Sequence, residues 1–360
     1  MSAERSINAE RRAGRGASSR DCGRFERHRY EDAHDGWDLP EELPPLRTEV
    51  AQERPRSLIN YVRSPDVPFD RTINPYRGCE HGCIYCFARP SHAYLGLSPG
   101  LDFETKLVAR PDAPEVLARE LRARRYRPQT IAIGTNTDPY QPIERDRGIM
   151  RACLEVLRDF NHPVAIVTKG TLIERDIDIL ADMARRGLAR VGISVTTLDA
   201  TLARRMEPRV PSPRRRLATI QRLSAAGIEV RVMASPVVPA LTDPELERIL
   251  EAGAKAGAVA ASWIMLRLPR EVSPLWQAWL AEHYPDRAAR VMARLREMHG
   301  GQDYSADWGH RMRGEGPYAE LIARRFALAS RKLGLDRKLP PLRTDLFAPP
   351  ARAGDQLSLF

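Results

Sequence analysis

Between residues 71 and 270, short apolar runs alternate with longer amphipathic stretches, and this alternation constrains the fold more than any other feature. The short runs predict strands and the longer stretches predict helices. Strands that alternate with helices favour a parallel sheet with right-handed crossovers. Six such units fit a partial barrel better than the eight units of a complete one. We therefore predict an α/β fold, a partial (β/α)6 TIM-like barrel. The predicted strands are 72–76, 130–134, 164–168, 191–195, 229–233 and 262–267, and the predicted helices are 113–125, 144–160, 173–186, 212–226 and 243–256.

The segments on either side of this core have a different composition. Residues 1–40 are polar and charged, and we expect a disordered basic tail there. Residues 41–70 are rich in proline, which predicts an extended lead-in to a core at 71–270. Residues 271–336 carry three further helical patterns and predict a C-terminal helical extension. Residues 337–360 are rich in proline and alanine and predict a flexible tail.

The composition narrows the choice of compartment and partner. The net charge of +10 and a pI near 9.7 favour anionic partners, although an Arg-rich chain can be basic without such a role. The sequence contains no run of about 18 apolar residues, which argues against a transmembrane helix. The N-terminus lacks the apolar centre of a secretory signal. Clustered cysteines in a chain without an export signal indicate metal or redox chemistry, so we expect a cytoplasmic protein.

Three of the five cysteines follow the spacing Cys79-x3-Cys83-x2-Cys86 on a loop after the first predicted strand. Thiolates are soft ligands that suit iron–sulfur clusters. Three ligands on a cluster of four irons leave one iron open to a small chelating molecule. Gly78 and Gly82 allow the backbone to wrap closely around such a cluster.

A zinc site formed by the three cysteines and His81 is the alternative. Structural zinc sites usually combine two cysteine or histidine pairs, and no second pair is present here. Cys153 lies on an apolar helical face and is expected in the core. The spacing therefore favours the cluster over zinc.

The residues around this motif carry a family resemblance. The stretch 74–106 includes Cys86-Phe-Ala-Arg-Pro-Ser-His and Leu95-Gly-Leu-Ser-Pro-Gly-Leu-Asp-Phe-Glu-Thr-Lys. It resembles the spore photoproduct lyase-related branch of the radical S-adenosylmethionine (SAM) superfamily, and within it an uncharacterised bacterial group. The likeness extends over about residues 40–345. It implies a radical SAM barrel with a [4Fe–4S] cluster on Cys79, Cys83 and Cys86 and with SAM at the carboxyl ends of the strands.

The resemblance also implies which side chains contact SAM. The aromatic residue before the last cysteine faces the adenine, and the end of the second strand receives the amino group. A lysine after the third strand faces the carboxylate, and the end of the fourth strand contacts ribose or carboxylate. Each of these residues alone could instead cap a helix or face solvent. The implied SAM contacts are Tyr85, Thr135, Asn136, Thr137, Asp138, Lys169, Ser194 and Thr196.

The implied chemistry is reductive cleavage of SAM to methionine and a 5′-deoxyadenosyl radical, which takes a hydrogen atom from the substrate. An external electron donor of the flavodoxin or ferredoxin type would reduce the cluster. Spore photoproduct lyase repairs a thymine dimer in DNA and uses an additional cysteine as hydrogen donor. The corresponding region, 135–142, contains no cysteine, so the same lyase reaction is in doubt. Tyr140 is the candidate replacement, and with the three cysteines it completes the predicted catalytic set.

The last five residues carry a separate signal. Gln356, Leu357, Ser358, Leu359 and Phe360 resemble the pentapeptide by which bacterial polymerases and repair proteins dock on the replicative sliding clamp. The glutamine amide suits a polar subsite, and the apolar side chains suit a groove. A terminal segment that packs on the body of the protein is the alternative.

These signals together favour a radical SAM enzyme that acts on DNA in repair or base modification and is recruited by the clamp. A radical SAM enzyme acting on RNA, a peptide or a metabolite is the main alternative. A clamp-associated binding protein that holds a metal cluster without catalysis is the alternative from another class.

Overall fold

The computed structural model describes residue 7, residues 12–25 and residues 45–351. Its centre is a sheet of six parallel strands in the order β10-β9-β8-β7-β6-β3, with β2 antiparallel at the β3 edge. A smaller sheet, β1-β5-β4, lies beside it. The partial (β/α)6 barrel is thus confirmed. The strands are β1 Glu49–Gln52, β2 Asn60–Tyr61, β3 Arg71–Ile73, β4 Tyr76–Arg77, β5 Lys106–Ala109, β6 Ile131–Ile133, β7 Val164–Thr168, β8 Ala189–Ser194, β9 Val230–Val237 and β10 Ala260–Met265.

Helices connect and cover the parallel strands. Each amphipathic helix places its apolar residues three or four positions apart on the face toward the sheet. In α4 this buried face includes Met150, Cys153, Leu154 and Leu157, each with 0% exposure, so Cys153 is a core residue as predicted. The helices are α1 Asp102–Thr105, α2 Ala113–Leu121, α3 Glu144–Arg147, α4 Ile149–Asp159, α5 Ile177–Arg185, α6 Ala200–Met206, α7 Pro213–Ala225, α8 Leu246–Lys255, α9 Val272–His283, α10 Pro285–Glu297 and α11 Gly316–Lys332, with 3-10 turns at Arg89–Leu95, Leu172–Asp176 and Asp243–Glu245.

The ends of these helices follow local capping rules. Ser212 accepts a hydrogen bond from the Arg215 backbone N–H at the start of α7. Gly187 and Gly227 follow α5 and α7 with φ of 70° and 81°, as expected of glycines that end a helix. The predicted helix 144–160 is divided at Gly148, which adopts φ 64°. The short helix α6 was not predicted from the sequence.

The C-terminal extension returns to the barrel. Helix α11 packs beside α8, where Arg325 forms hydrogen bonds of 2.6 and 2.7 Å with Glu247. The loop between α10 and α11 reaches the last strand, and the Met265 N–H donates to the Met312 carbonyl at 2.8 Å. The extension therefore brings its own residues to the carboxyl end of β10.

As far as residue 350, the segment after α11 is held at the amino ends of the parallel strands, opposite the carboxyl end that the extension reaches. The Arg343 N–H donates to the Gly187 carbonyl and the Ala348 N–H to the Phe160 carbonyl, both at 3.0 Å. Arg122 donates to the Pro350 carbonyl at 2.7 Å. The prediction of a flexible tail is wrong for this stretch, because carbonyls left free at the helix ends bind it. The clamp-like residues 356–360 lie outside the described residues.

The N-terminal prediction also needs correction. Residues 15–17 are buried, and the Gly16 N–H donates to the Glu104 carboxylate at 2.9 Å. The stretch 12–25 is therefore packed on the core, whereas the rest of the predicted tail lies outside the described residues. Within the described ranges, no helix combines the length and apolar character needed to cross a membrane.

Candidate active site

The three clustered cysteines lie on a loop that connects β4 to the 3-10 turn at Arg89–Leu95. Gly78 and Gly82 adopt φ of 75° and 66°, which disfavours other residues there. A Cβ at Gly78 would lie 2.7 Å from the Leu107 side chain, and one at Gly82 would lie 2.6 Å from the Glu104 carboxylate. The tight path of the loop thus requires both glycines, as the sequence predicted.

All three cysteines line a cavity of about 460 Å³ at the carboxyl ends of the parallel strands. Cys79 and Cys83 are buried, and Cys86 is half-buried. Burial raises the pKa of all three thiols. Thiolates at this position therefore need a compensating cation, which the iron of a cluster supplies. Three soft ligands on one loop, facing one cavity, fit a [4Fe–4S] cluster.

The histidine of the zinc alternative has another contact. His81 is buried, and its Nδ1 lies 3.3 Å from the Asp138 carboxylate. In the described ranges, no group of three Cys, His, Asp or Glu side chains is arranged to hold a single metal ion.

The predicted polar residues at the strand ends converge on the same cavity. Thr135 and Asn136 follow β6, and neither side chain forms a hydrogen bond within the described part of the chain. Both remain available to a ligand. The predicted SAM contacts that line the cavity are Tyr85, Thr135, Asn136, Thr137, Asp138, Lys169 and Ser194.

Asp138 connects the strand ends to the cysteine loop. Its Oδ1 accepts from the Tyr140 N–H at 2.9 Å and from the Thr168 hydroxyl at 2.6 Å. Its Oδ2 accepts from the Lys169 N–H at 2.8 Å and faces His81. Burial alone would raise the pKa of Asp138, but His81 and these donors lower it to about 2. These four contacts occupy both carboxylate oxygens. Asp138 therefore links the ends of β6 and β7 to the cysteine loop.

Lys169 presents its cation toward the cysteine loop. Its Nζ lies 5.8 Å from the centre of the Tyr85 ring, within range of a cation–π contact. It forms no salt bridge with any carboxylate of the described residues. A lysine at a cavity wall that forms no salt bridge with the described residues can receive the carboxylate of a ligand.

Glu207 is a site residue that the sequence analysis missed. Its buried carboxylate accepts from Tyr85, from Thr196 at 2.7 Å and from Arg216 at 2.8 Å. Burial alone would raise the pKa of Glu207, but the cations of Arg216 and Lys169 and the two hydroxyl donors hold it below its usual value. Glu207 therefore fixes Tyr85 against the end of β8.

Two predicted residues lie outside the cavity lining. Thr196 is buried behind it, with its hydroxyl bound to Glu207. Tyr140 is buried, and burial beside the Asp176 carboxylate raises its pKa. The turn after Asp138 directs Tyr140 inward, where its backbone packs on Gly170. Tyr140 is thus not placed to donate a hydrogen atom in the cavity.

Three further residues, from separate parts of the chain, complete the cavity. Phe87 follows the last cysteine, Arg267 follows β10, and Met312 comes from the C-terminal extension. The Arg267 guanidinium lies 4.6 Å from the centre of the Phe87 ring and donates to the Tyr304 hydroxyl at 3.3 Å. The hydrophobic periodicity of the sequence does not predict that these distant segments meet.

The comparisons with known proteins agree with this geometry. The model of the radical SAM superfamily matches residues 73–253, which include the cysteine loop and most strand ends of the site. The chain belongs to the radical SAM superfamily. It is a radical SAM enzyme, and its cofactors are a [4Fe–4S] cluster and SAM.

Relatives and solved structures extend the match. An uncharacterised protein of Mycobacterium tuberculosis is 36% identical over 303 residues, which cover 83% of this chain and 85% of the relative. An uncharacterised protein of Methanocaldococcus jannaschii is 25% identical over 200 residues, covering 55% and 71%. The structure of spore photoproduct lyase complexed with dinucleoside spore photoproduct has a TM-score of 0.57, 15% identity and 79% coverage of both chains. A mutant of that lyase with bound AdoMet and the dinucleoside has a TM-score of 0.56 and 14% identity, and covers 79% of this chain and 78% of its own.

When bound, the cluster and SAM supply reductive cleavage of the sulfonium and a 5′-deoxyadenosyl radical. Cys79, Cys83 and Cys86 would hold the cluster. Lys169 and the free side chains after β6 are placed to orient SAM.

Proposed function

We propose that this radical SAM enzyme acts on DNA, taking a hydrogen atom from a nucleotide held in the cavity, and that the sliding clamp recruits it. The observation that carries the DNA proposal is the arrangement of Arg267 between two aromatic rings. Its guanidinium lies 4.6 Å from the Phe87 ring centre and 5.9 Å from the Tyr304 ring centre. Its Nε is buried and has no hydrogen-bond partner among the residues that the structure describes.

An arginine with open donors beside an exposed aromatic ring suits a nucleotide. The guanidinium pairs with phosphate oxygens, and the ring offers a surface on which a base stacks. Phe87 is 43% exposed, so a base can reach it. A nucleotide turned out of its strand would meet both groups and enter the same cavity as SAM.

The location of other arginines refines this proposal. Arg63 is exposed and lies in sequence between Val62 and Ser64, which line the cavity, so it is a candidate for contact with a flanking phosphate. Arg215 is paired with Glu174, and Arg216 is buried against Glu207, so neither is free for DNA. The basic run 122–127 precedes β6 and therefore lies at the edge of the sheet away from the cavity.

The likeness to spore photoproduct lyase supports DNA as the substrate class, because that protein was solved with a dinucleoside photoproduct on a similar fold. The same repair reaction is not part of the proposal. Among the described residues that line the cavity, the only cysteines are the three of the cluster loop. Cys153, on α4, is fully buried in the core.

Clamp recruitment rests on residues 356–360 and on how the preceding segment is fixed. Arg122 binds the Pro350 carbonyl at the edge of the sheet away from the cavity. The six residue-to-residue steps from 350 to 356 span at most about 20 Å. A clamp bound to this pentapeptide would leave the cavity open to DNA.

Binding and hydrogen transfer test the substrate class. We expect the reconstituted enzyme to bind single-stranded DNA with an affinity that falls steeply with salt. Arg267→Ala should weaken binding roughly tenfold, because it removes a phosphate contact and a stacking partner. Arg124→Ala, at the opposite edge, is the control. DNA deuterated in its sugar and base methyl groups should transfer deuterium to 5′-deoxyadenosine. Absence of both salt-sensitive binding and deuterium transfer would refute DNA as the substrate.

Deletion of residues 356–360 tests recruitment. The full chain should bind an immobilised bacterial sliding clamp, and the shortened chain should not. Catalysis on free DNA should be the same for both chains. Equal clamp affinity of the two chains would refute the docking proposal and leave the substrate proposal unaffected.

A further inference from the structure

The N-terminal residues Arg15, Gly16 and Ala17, here named the N-terminal strap, lie against the cysteine loop on the side away from the cavity. Arg15 is buried, and its Nη1 donates to the Glu104 carbonyl at 2.9 Å. Its Nη2 donates to the Leu46 carbonyl at 3.0 Å. Gly16 packs so closely on the loop that a Cβ there would overlap the Gly82 carbonyl oxygen.

The strap is held by a buried carboxylate. Glu104 has 0% exposure, and it accepts from the Gly16 N–H and the Ala17 N–H, both at 2.9 Å. Its third donor is the Arg89 guanidinium, at 2.5 Å. Of the three donors to this carboxylate in the described part of the chain, two thus come from the strap backbone.

Arg89 connects this carboxylate to the cluster ligands. Its side chain is fully buried, and its Nε donates to the Cys83 carbonyl at 3.0 Å. Its Nη2 donates to the Gly82 carbonyl at 3.2 Å. A continuous path of hydrogen bonds therefore runs from the strap through Glu104 and Arg89 to a cysteine of the loop.

A buried ion pair holds its geometry only when its remaining donors and acceptors are satisfied. Without the strap, Glu104 would lose two donors, and the side of the loop at Gly82 would be open to water. Both changes would weaken the hydrogen bonds from Arg89 to the Gly82 and Cys83 carbonyls, which hold Cys83 in place. None of the three strap residues lines the cavity, so the strap acts on the cluster through the loop.

We propose that Arg15, Gly16 and Ala17, acting through Glu104 and Arg89, are positioning residues for the iron–sulfur cluster. The N-terminal segment is then a working part of the cluster site whatever the substrate is. It sets how firmly the loop retains the cluster and how well the loop excludes water and dioxygen.

The test compares Gly16→Ala with Ala13→Ser in the full-length, reconstituted protein. Ala13 is exposed two to three residues before the strap contacts, so it is a matched control. The Cβ of Gly16→Ala would overlap the Gly82 carbonyl oxygen and displace the strap N–H donors from Glu104. We therefore expect this variant to lose iron to a chelator about tenfold faster than wild type, the scale of one broken hydrogen bond to a buried charge. Its reduced cluster should also give an altered electron paramagnetic resonance spectrum. Ala13→Ser should behave as wild type.

A second comparison separates positioning from general stability. Glu104→Gln should also speed cluster loss. The double variant should lose iron more slowly than the product of the two single effects would give, because both changes break the same path of hydrogen bonds. Wild-type rates of iron loss in Gly16→Ala would overturn the proposal. A lowered melting temperature of the cluster-free protein with unchanged iron loss, or fully multiplicative effects in the double variant, would overturn it as well.

Discussion

The buried pair of Glu207 and Arg216 makes a quantitative prediction about the barrel. The two side chains are 0% and 1% exposed, and they meet at 2.8 Å. Glu207→Gln keeps the shape of the side chain but leaves the Arg216 charge unpaired in the interior. Removal of one partner from a buried pair lowers the free energy of unfolding by about 3–5 kcal/mol. The hydroxyl of Tyr85 keeps an acceptor in the amide oxygen, so we take the lower end, about 3 kcal/mol.

Thermal unfolding of the cluster-free protein is the assay. A loss of about 3 kcal/mol in a chain of this size lowers Tm by roughly 4 °C. The double variant Glu207→Gln with Arg216→Met should recover most of that loss, because a well-packed apolar side chain replaces the unpaired charge. Glu251→Gln, which breaks the exposed pair of Glu251 and Lys255, is the control and should change stability by less than about 0.5 kcal/mol.

The outcome separates two roles for Glu207. A Glu207→Gln variant less than about 1 kcal/mol below wild type would refute the argument that this pair stabilises the barrel. A double variant that is less stable than either single variant would refute the argument that the unpaired charge is the cause. The same Glu207→Gln protein should bind SAM up to about tenfold more weakly if Glu207 holds Tyr85 in place, because the hydrogen bond from Tyr85 then ends on a neutral acceptor and loses its charge assistance.

Three further outcomes follow. Cys83→Ala should abolish both iron binding and formation of 5′-deoxyadenosine, whereas Cys153→Ser should retain iron, as measured by iron analysis and chromatography after anaerobic reconstitution. Gly253→Ala should lower Tm although alanine favours helix, because its Cβ would lie 2.7 Å from Val232, and overpacking of about 1–3 kcal/mol exceeds the propensity gain of about 1 kcal/mol. Burial alone would raise the pKa of Glu174, but arginine and threonine donors lower it from 4.5 to about 2. The wild-type protein should therefore be more stable than Glu174→Gln above pH 4.5, and this difference should disappear as the pH falls toward 2. Urea unfolding at a series of pH values measures the difference.

The fold was accessible to sequence analysis where periodicity and local chemistry agreed. The strand predicted at 164–168 has the observed bounds, because a run of β-branched residues ends at a threonine before Lys169 and Gly170. The cysteine spacing identified the cluster loop because all its ligands come from one short segment. Convergence of the strand ends followed from the geometry of parallel sheets, which places residues such as Thr135 and Ser194 at one edge.

The misses share a different physical origin. The strap was predicted to be disordered because its order comes from Glu104, 87 and 88 positions away, and not from its own apolar pattern. Thr196 and Arg216 lie only 11 and 9 positions from Glu207, but Tyr85, the partner that connects Glu207 to the cysteine loop, is 122 positions away, so Glu207 was missed. Tyr140 was wrongly placed in the cavity because the sequence shows that it follows a strand but not that Asp138 turns it inward.

The two halves of the cavity come from different parts of the chain. The cysteines, Lys169 and the strand ends of the cofactor half lie within residues 73–253, the region shared with the superfamily model. The other half includes Phe69, Arg267 and Arg311, which lie outside that region. Arg311 pairs with Asp66, so the lead-in and the C-terminal extension meet across the cavity mouth. We therefore expect the choice of substrate to depend on these two segments as well as on Phe87, which lies within the shared radical SAM core.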